Sequence, residues 1–216
     1  MKQSLSAGAR QRTIKLIRAL KKKTKGLPDP AATNIIAQYG RDPYLILISC
    51  ILSLRTRDTT SYPASVRLFN HAKTPQKMLK LTHKQIEKAI YPVGFYRQKT
   101  KQILSISNDL IERFDGKVPK TREELLSMKG VGPKTASLVL AEAFGIPALC
   151  VDTHVQRLSN KPHFGIVNTK TPEATEEALM KVVPKKDWKD FNRLVVMWGQ
   201  NVCKPGRTCH CNELGI

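Results

Sequence analysis

The sequence Gly130-Val131-Gly132 is the feature that most constrains how this chain can fold. Two glycines one residue apart are typical of a turn too tight for side chains at both ends. Pro133 follows directly and suits the first turn of a helix, where its missing N–H costs nothing. Main-chain N–H groups at such a helix start point outward and form a site for an anion. The segment therefore predicts a hairpin that leads into the N-terminus of a helix.

Signals for helix starts recur along the whole chain. Thr121 and Glu124 have the spacing of a capping box, so a short helix is predicted to begin there and to end near Met128, before the hairpin. Comparable cap pairs are Asp42 with Pro43, Thr74 with Pro75, Thr82 with Gln85, and Thr171 with Pro172. Strand-like alternation of apolar and polar residues is almost absent. The sequence therefore predicts an all-α protein.

The apolar segments also follow a helical pattern. Residues 44–54 are apolar nearly all round, as expected of a central buried helix. This is the longest apolar run in the chain, and Ser49 and Ser53 interrupt it. It is well short of the ~18 to 20 residues that a membrane-spanning helix needs, so no membrane partner is expected.

The charge of the chain points to a polyanionic partner. Its 37 Lys and Arg residues against 17 Asp and Glu residues give a formal net charge of +20. Residues 2–25 alone hold nine basic residues and no acidic one. Ile14, Ile17 and Leu20 recur at three-residue spacing there, which predicts a helix with one apolar stripe and a cationic back. A transit peptide would also be basic and poor in acidic residues, and it stays open as an alternative.

Two motifs together identify a family. The sequence Gly130-Val-Gly-Pro-Lys-Thr-Ala136 and, further on, Val151-Asp-Thr-His154 resemble the endonuclease III branch of the helix-hairpin-helix DNA glycosylases, over roughly residues 30 to 211. The resemblance implies two helical lobes and a central DNA-binding groove. One lobe is expected to comprise residues 38–146 with the hairpin. The other is expected to comprise residues 1–37 and 147–216 with a cysteine-rich loop.

The resemblance also implies two catalytic residues, Lys134 and Asp152. In the family the lysine amine traps the sugar carbon C1′ as a Schiff base, and the carboxylate stabilises the positive charge that builds on the sugar. The positive end of a helix disfavours an ammonium, so the amine of Lys134 is expected to lose its proton easily. Each residue has an alternative role. Lys134 could bind a phosphate, and Asp152 could cap the helix that Thr153 opens.

Further residues are expected to contact DNA. They are Arg55, Arg57, Gly130, Val131, Gly132 and Thr135. In the family, the position of Arg55 enters the space left by an extruded base and often carries glutamine, so arginine here leaves the preferred opposite base open. The alternative is a plain helix end with Asp58 or Thr59 as the next cap. Arg97, Lys99 and Lys101 open a later helix and are expected either to follow a DNA backbone or to form a solvated face.

Three of the five cysteines, Cys203, Cys209 and Cys211, crowd the end of the chain and predict metal ligation rather than disulfides. Cys50 and Cys150 lie in apolar sequence and are expected in the core. In the resembled family, four cysteines spaced C-x6-C-x2-C-x5-C hold a 4Fe–4S cluster. This chain has C-x5-C-x-C, and the fourth cysteine ligand is absent from it. Truncation before a fourth cysteine, completion by His210 or an outside ligand, a degenerate cluster and zinc stay open.

The expected function is base excision repair. We expect the protein to remove oxidised pyrimidines from duplex DNA and to nick the strand by β-elimination, as a monomer acting on damaged bases or abasic sites. The alternatives are a mismatch thymine or other-base glycosylase on the same scaffold and a non-catalytic DNA-binding module. The expected location is cytoplasmic, with the nucleoid, in a prokaryote, and nuclear or mitochondrial in a eukaryote.

Overall fold

A computed structural model describes the backbone of residues 2–216 and the side chains from Gly8 onward, so the side chain of Lys2 in the basic arm lies outside the described residues. The described residues form helices and no strand, which confirms the predicted all-α class. The chain divides into two compact units. We call Ala31–Ile146 the middle unit, and Met1–Pro30 with Pro147–Ile216 the terminal unit.

The middle unit holds eight helices. They are α2 (Ala31–Tyr39), α3 (Pro43–Ser53), α4 (Asp58–His71), α5 (Pro75–Leu79), α6 (His83–Ile90), α7 (Tyr96–Phe114), α8 (Arg122–Ser127) and α9 (Pro133–Ala143). Helix α3 is the centre of this unit, because residues 44–52 are all buried and α2, α4, α7 and α9 pack against it. The predicted central buried helix is therefore confirmed. Cys50 is one of its buried residues and is a free thiol.

The terminal unit holds helices from both ends of the chain. They are α1 (Lys2–Lys23), α10 (Thr153–Ser159), α11 (Pro172–Val182) and α12 (Trp188–Asn201), followed by a short 3-10 turn at Cys211–Leu214. Leu16, Ile17 and Leu20 of α1 are buried in one core with Phe191 and Trp198 of α12. Ile17 and Leu20 of the apolar stripe predicted for the N-terminal arm therefore lie in this core, whereas Ile14, the third residue of that stripe, is only half-buried. Burying each such side chain contributes roughly 1.5 to 3 kcal/mol.

The predicted helix starts are present. The Asp42 carboxylate accepts a hydrogen bond from the Leu45 N–H (3.0 Å), and Thr82 and Gln85 form a complete capping box. The Thr74 and Thr171 hydroxyls cap α5 and α11 in the same way. These bonds satisfy N–H groups that have no partner within the helix, so each cap fixes where its helix begins. Among the described residues, no helix has both the length and the apolar character needed to cross a bilayer.

Candidate functional site

The hairpin, residues 128–133, joins α8 to α9 in the middle unit. Helix α8 begins after Thr121, whose hydroxyl accepts from the Glu124 N–H, and it ends at Ser127 as predicted. The Val131 N–H then donates to the Met128 carbonyl (3.1 Å), and the Val131 side chain is buried. Gly132 is the N-cap of α9 and Pro133 occupies its first turn. The N–H groups at the start of α9 have no partner one turn earlier in the helix, and helix N-termini with this property commonly bind anions.

The two glycines of the hairpin have different reasons to be glycine. Gly130 has φ +90°, a conformation that other residues adopt only with strain. Gly132 has φ −94°, and a Cβ built there meets no atom within 4 Å. The prediction that the turn is too tight for side chains at both ends is therefore wrong at Gly132. At that position the missing side chain leaves open space in front of the helix N-terminus, where a phosphate can approach the backbone.

A residue that the sequence did not single out holds the hairpin in place. Gln102 of α7 donates from its Nε2 to the Gly130 carbonyl oxygen (2.6 Å). Arg122 of α8 donates to the hydroxyl of the buried Ser137 of α9 (2.6 Å), so it braces the two helices of the motif against each other. Both contacts join residues well separated in the chain, and no local sequence pattern predicts them.

Lys134 lies in the first turn of α9, one residue after Pro133, and its side chain is half-buried. Helix α9 packs against α3, which carries Cys50. Burial raises the pKa of the Cys50 thiol to about 12, while the charge of Lys134 acts in the opposite direction and that of Glu142 acts with burial. Lys134 is therefore close enough to the core of the middle unit to affect a buried thiol. By contrast, Thr135 is 2% exposed, so only its main chain is available for the predicted DNA contact.

The Arg55 loop, residues 54–57, connects α3 to α4. Arg55 is exposed and has φ +54°, and its guanidinium carbon lies 4.4 Å from the centre of the Phe95 ring. Phe95 is itself 50% exposed, an unusual position for a phenylalanine. Arg57 is exposed at the N-cap of α4 and makes no side-chain cap. The alternative that Asp58 or Thr59 caps α4 is wrong, because Arg57 occupies the N-cap and α4 has no side-chain cap. The Asp58 carboxylate accepts from the Ala31 N–H of α2 (3.0 Å) instead.

Lys99 is not on the surface where the sequence placed it. Its side chain is buried in the middle unit, and its Nζ donates to the carbonyl oxygens of Leu52 (2.8 Å) and Leu54 (2.5 Å) and to the Thr56 hydroxyl (3.0 Å). The expectation that Lys99 follows a DNA backbone or a solvated face is therefore wrong. A lysine on an otherwise basic helix start gives no sequence signal that it points inward.

Asp152 lies in the terminal unit, at the N-cap of α10. Its Oδ1 accepts from the Val155 N–H (2.8 Å), so the capping alternative is present in the structure. Asn192 of α12 donates to the Cys150 carbonyl (3.0 Å) and holds the segment that leads to Asp152. His154 packs directly against Gly199, where an added Cβ would lie 2.5 Å from the ring Nδ1. A carboxylate that caps a helix is held in a fixed position.

The three cysteines at the end of the chain converge. The sulfur atoms of Cys203, Cys209 and Cys211 all lie within 4.8 Å of one another. Arg157 donates to the Cys203 carbonyl (2.6 Å) and lies 3.7 Å from its sulfur, and a hydrogen bond to Cys209 raises the pKa of Lys161. For Cys209, burial acts to raise the pKa, but hydrogen bonds from Cys211 and Lys161 outweigh it and lower the value to about 7. Hydrogen bonds from Cys211 and from Lys161 thus favour a thiolate at Cys209, whereas burial raises the pKa of Cys211.

A 4Fe–4S cluster takes four thiolates. The described residues supply three, and the spacing between them differs from that of the family. His210 does not join the group, since its Nδ1 is paired with Glu213 (2.8 Å). The described residues therefore bring three thiols close together without supplying the four ligands of a 4Fe–4S cluster, and no catalytic step is assigned to them.

An all-helical chain in which a Gly-Val-Gly hairpin leads into a lysine-bearing helix is a helix-hairpin-helix protein. The model of the HhH-GPD superfamily base excision DNA repair protein family matches residues 48–185. The chain belongs to this family. The prediction of an endonuclease III-like protein of the helix-hairpin-helix glycosylase superfamily is confirmed, because the relatives below carry that name.

Endonuclease III of Thermotoga maritima is 47% identical to this chain over 179 residues, which are 81% of this chain and 83% of that protein. The solved structure of a non-covalent endonuclease III–DNA complex matches with a TM-score of 0.82 at 29% identity, covering 95% of this chain and 94% of that one. The structure of a trapped endonuclease III–DNA covalent intermediate matches with a TM-score of 0.80, also at 29% identity and with the same coverage.

Proposed function

We propose that this protein is a base excision repair DNA glycosylase with abasic-site lyase activity, and that it removes oxidised pyrimidines from duplex DNA. One observation carries the proposal most directly. The hairpin presents an open helix N-terminus, and Lys134 stands in the first turn of that same helix. A phosphate bound at the hairpin would therefore bring the adjacent sugar close to an amine. The named relatives and the covalent DNA intermediate of a structural neighbour support this reaction class.

Lys134 is the proposed nucleophile. Its Nζ forms a bond to C1′ as the bond from C1′ to the base breaks, and the base leaves with the electron pair and takes up a proton. Opening of the sugar ring then gives a Schiff base between C1′ and the lysine. The Schiff base acidifies the hydrogen on C2′, and loss of that proton expels the 3′ phosphate oxygen. The strand is thereby cut without water as the attacking group.

Asp152 is the proposed electrostatic stabiliser. Positive charge builds on the sugar as the base departs, and a fixed carboxylate lowers the energy of that state. The hydrogen bond from the Val155 N–H to Oδ1 fixes the orientation of the carboxylate. Asp152 is also proposed to accept the proton that the Lys134 nitrogen loses once the neutral amine has bonded to C1′. Capping α10 and stabilising the sugar are compatible roles, because the cap uses only one of the two carboxylate oxygens.

DNA is proposed to be bound mainly through its backbone. The open start of α9 supplies main-chain donors at Gly132 and Thr135, and the net charge of +20 supplies the long-range attraction. Arg55 and Arg57 are exposed and are proposed to contact the duplex at the lesion. The protein is proposed to act as a monomer, in the nucleoid of a prokaryote or in the nucleus or mitochondrion of a eukaryote.

A 4Fe–4S cluster is the proposed occupant of the Cys203–Cys209–Cys211 triad when a fourth ligand joins it. Such a cluster is proposed to be structural and to stiffen this loop of the terminal unit for contact with DNA. Its neighbours Arg157 and Lys161 are basic, as a DNA-facing loop requires. An iron assay combined with an absorbance scan of the purified protein tests this. Iron at well under one cluster per chain, with no broad visible band, would argue against it.

Borohydride trapping on duplex DNA tests the proposed reaction. Substrates carry thymine glycol, an abasic site or a G·T mismatch. Wild-type protein should form a covalent adduct with the first two, and Lys134→Ala should form none. Lys117→Ala is the matched control, because Lys117 is an exposed lysine of the same unit outside the site. An adduct that persists in Lys134→Ala would refute the lysine assignment. Tight binding without an adduct would indicate a binding module, and activity only on the mismatch would indicate a thymine glycosylase.

A further inference from the structure

Lys99 is a buried lysine that the proposed reaction does not use. It lies in the first turn of α7 and is 4% exposed. Lysine is almost never buried to this degree without partners. Here each of the three N–H groups of the ammonium has one acceptor, namely the carbonyl oxygens of Leu52 and Leu54 and the hydroxyl of Thr56.

Packing does not explain this lysine. Taking an ammonium out of water is costly, and burial lowers the pKa of Lys99 to about 8. A methionine would fill a similar volume without a charge to desolvate. The cost of burying this charge is therefore offset only by the three hydrogen bonds through which the ammonium joins residues 52–56.

The three acceptors lie on both sides of Arg55. Leu52 is in the last turn of α3, and the last carbonyls of a helix have no partner within it. They also form the negative end of the helix, which favours a cation. The next residues turn sharply through Arg55, whose φ of +54° is disfavoured for a residue with a side chain. The Lys99 ammonium offsets that strain by bonding the backbone before the turn and the side chain after it.

Thr56 extends the same contact to a second loop. Its hydroxyl accepts from Lys99 and also from the Gly94 N–H (3.2 Å). A Cβ at Gly94 would lie 3.1 Å from the Arg55 carbonyl oxygen, so the two loops approach closely. Phe95 comes next in the chain, and its ring faces the Arg55 guanidinium at 4.4 Å. Lys99 and Thr56 are less exposed than Arg55 and Phe95, and their hydrogen bonds hold the backbone next to both of these exposed residues.

We propose that Lys99 is a positioning residue for base extrusion. It clamps residues 52–56 so that Arg55 and Phe95 project together from the middle unit in one fixed arrangement. The inference rests on the proposed function, because it assigns the clamp to the step in which the damaged base leaves the stack. It adds a role for a side chain that touches neither the sugar nor the base.

Hydrogen–deuterium exchange on the free protein tests the clamp itself. In Lys99→Met, peptides covering residues 52–57 should exchange roughly 10-fold faster or more than in wild type, because the loop opens locally. Lys84→Met is the control, since Lys84 is an exposed lysine of the same unit, and its exchange in this region should match wild type. Unchanged exchange in Lys99→Met would overturn the proposal, whatever the protein does to DNA.

Single-turnover kinetics test the consequence. Lys99→Met should slow excision of thymine glycol from duplex DNA roughly 10- to 100-fold, since small misplacements of a contacting group have effects of this size. Strand cleavage at a preformed abasic site, which has no base to extrude, should change less than about 3-fold. Equal losses on both substrates would overturn the positioning role. If wild-type protein is inactive on both substrates, the proposed function is wrong. The exchange experiment would still show whether Lys99 holds residues 52–57, because it is done without DNA.

A double-mutant cycle with Arg55→Ala distinguishes positioning from general damage. If Lys99 acts through Arg55, then Lys99→Met should slow excision little further in the Arg55→Ala background. Fully multiplicative losses would contradict the inference. Thr56→Val removes one acceptor and leaves the lysine in place, so it serves where Lys99→Met folds poorly. It should reproduce the selective loss on thymine glycol, and wild-type kinetics in this variant would count against the clamp.

Discussion

Replacing Gly130 with alanine should destabilise the hairpin through two separate effects. The φ of +90° lies in the region that L-residues disfavour, at a cost of roughly 1 to 2 kcal/mol. The new Cβ would also overlap the Gln102 amide, which donates to the Gly130 carbonyl at 2.6 Å. Loss of that hydrogen bond adds about 1 kcal/mol. The two effects together lower the free energy of unfolding by about 2 to 3 kcal/mol.

Urea unfolding measures this cost, and a second background separates its two parts. In Gln102→Ala the overlap and the hydrogen bond are both gone, so Gly130→Ala should cost only the backbone strain of roughly 1 to 2 kcal/mol there. The thermal midpoint of the single variant should fall by roughly 4 to 12 °C for a chain of this size. An unchanged midpoint, or an equal cost in both backgrounds, would refute the account of why Gly130 is glycine.

Gly132→Ala is the matched control in the same turn. Its Cβ enters open space and its φ is ordinary, so the only expected cost is the roughly 0.5 to 1 kcal/mol by which alanine is a poorer N-cap than glycine, which is less than the cost at Gly130. Its affinity for duplex DNA should fall, because the methyl group stands where a phosphate approaches the N-terminus of α9. If the Gly132→Ala protein is stable and binds duplex DNA as tightly as wild type, then no phosphate binds at the N-terminus of α9.

Three further outcomes are expected. Asp152→Asn should keep its cap and its stability, because asparagine caps helices as well as aspartate does, while excision falls about 100-fold or more in single-turnover assays. Gly199→Ala should lower the free energy of unfolding by roughly 1 to 3 kcal/mol, since its Cβ would lie 2.5 Å from His154. The pKa of Lys99, about 8 against 10.5, means that the unfolded chain binds more protons between those pH values. As the pH rises from 7 to 9, wild type should therefore become more stable relative to Lys99→Met by on the order of 1 kcal/mol, and a change in the opposite direction would contradict the burial of the ammonium.

Local chemistry explains why much of the fold could be predicted. The Asp42 and Thr82 caps act within three residues, so a sequence pattern contains all the groups that form them. The continuous apolar run of α3 likewise shows that the helix is buried, because a helix that is apolar on nearly every face has no favourable exposed orientation. The same holds for the left-handed turn at Gly130. The family could be predicted because its two motifs are contiguous stretches of chain.

The contacts that support the site depend on packing between distant segments. Nothing near Lys99 in the sequence shows that it points inward, because its neighbours Arg97 and Lys101 are also basic and exposure depends on which helix covers that face. Gln102 reaches Gly130 across 28 residues, and Asp58 bonds Ala31 rather than capping its own helix. The sequence by itself determined the helices, the hairpin and the candidate chemistry, since these are short-range properties. Tertiary structure alone decided which polar side chains turn inward to hold the exposed ones, because that depends on where separate helices meet.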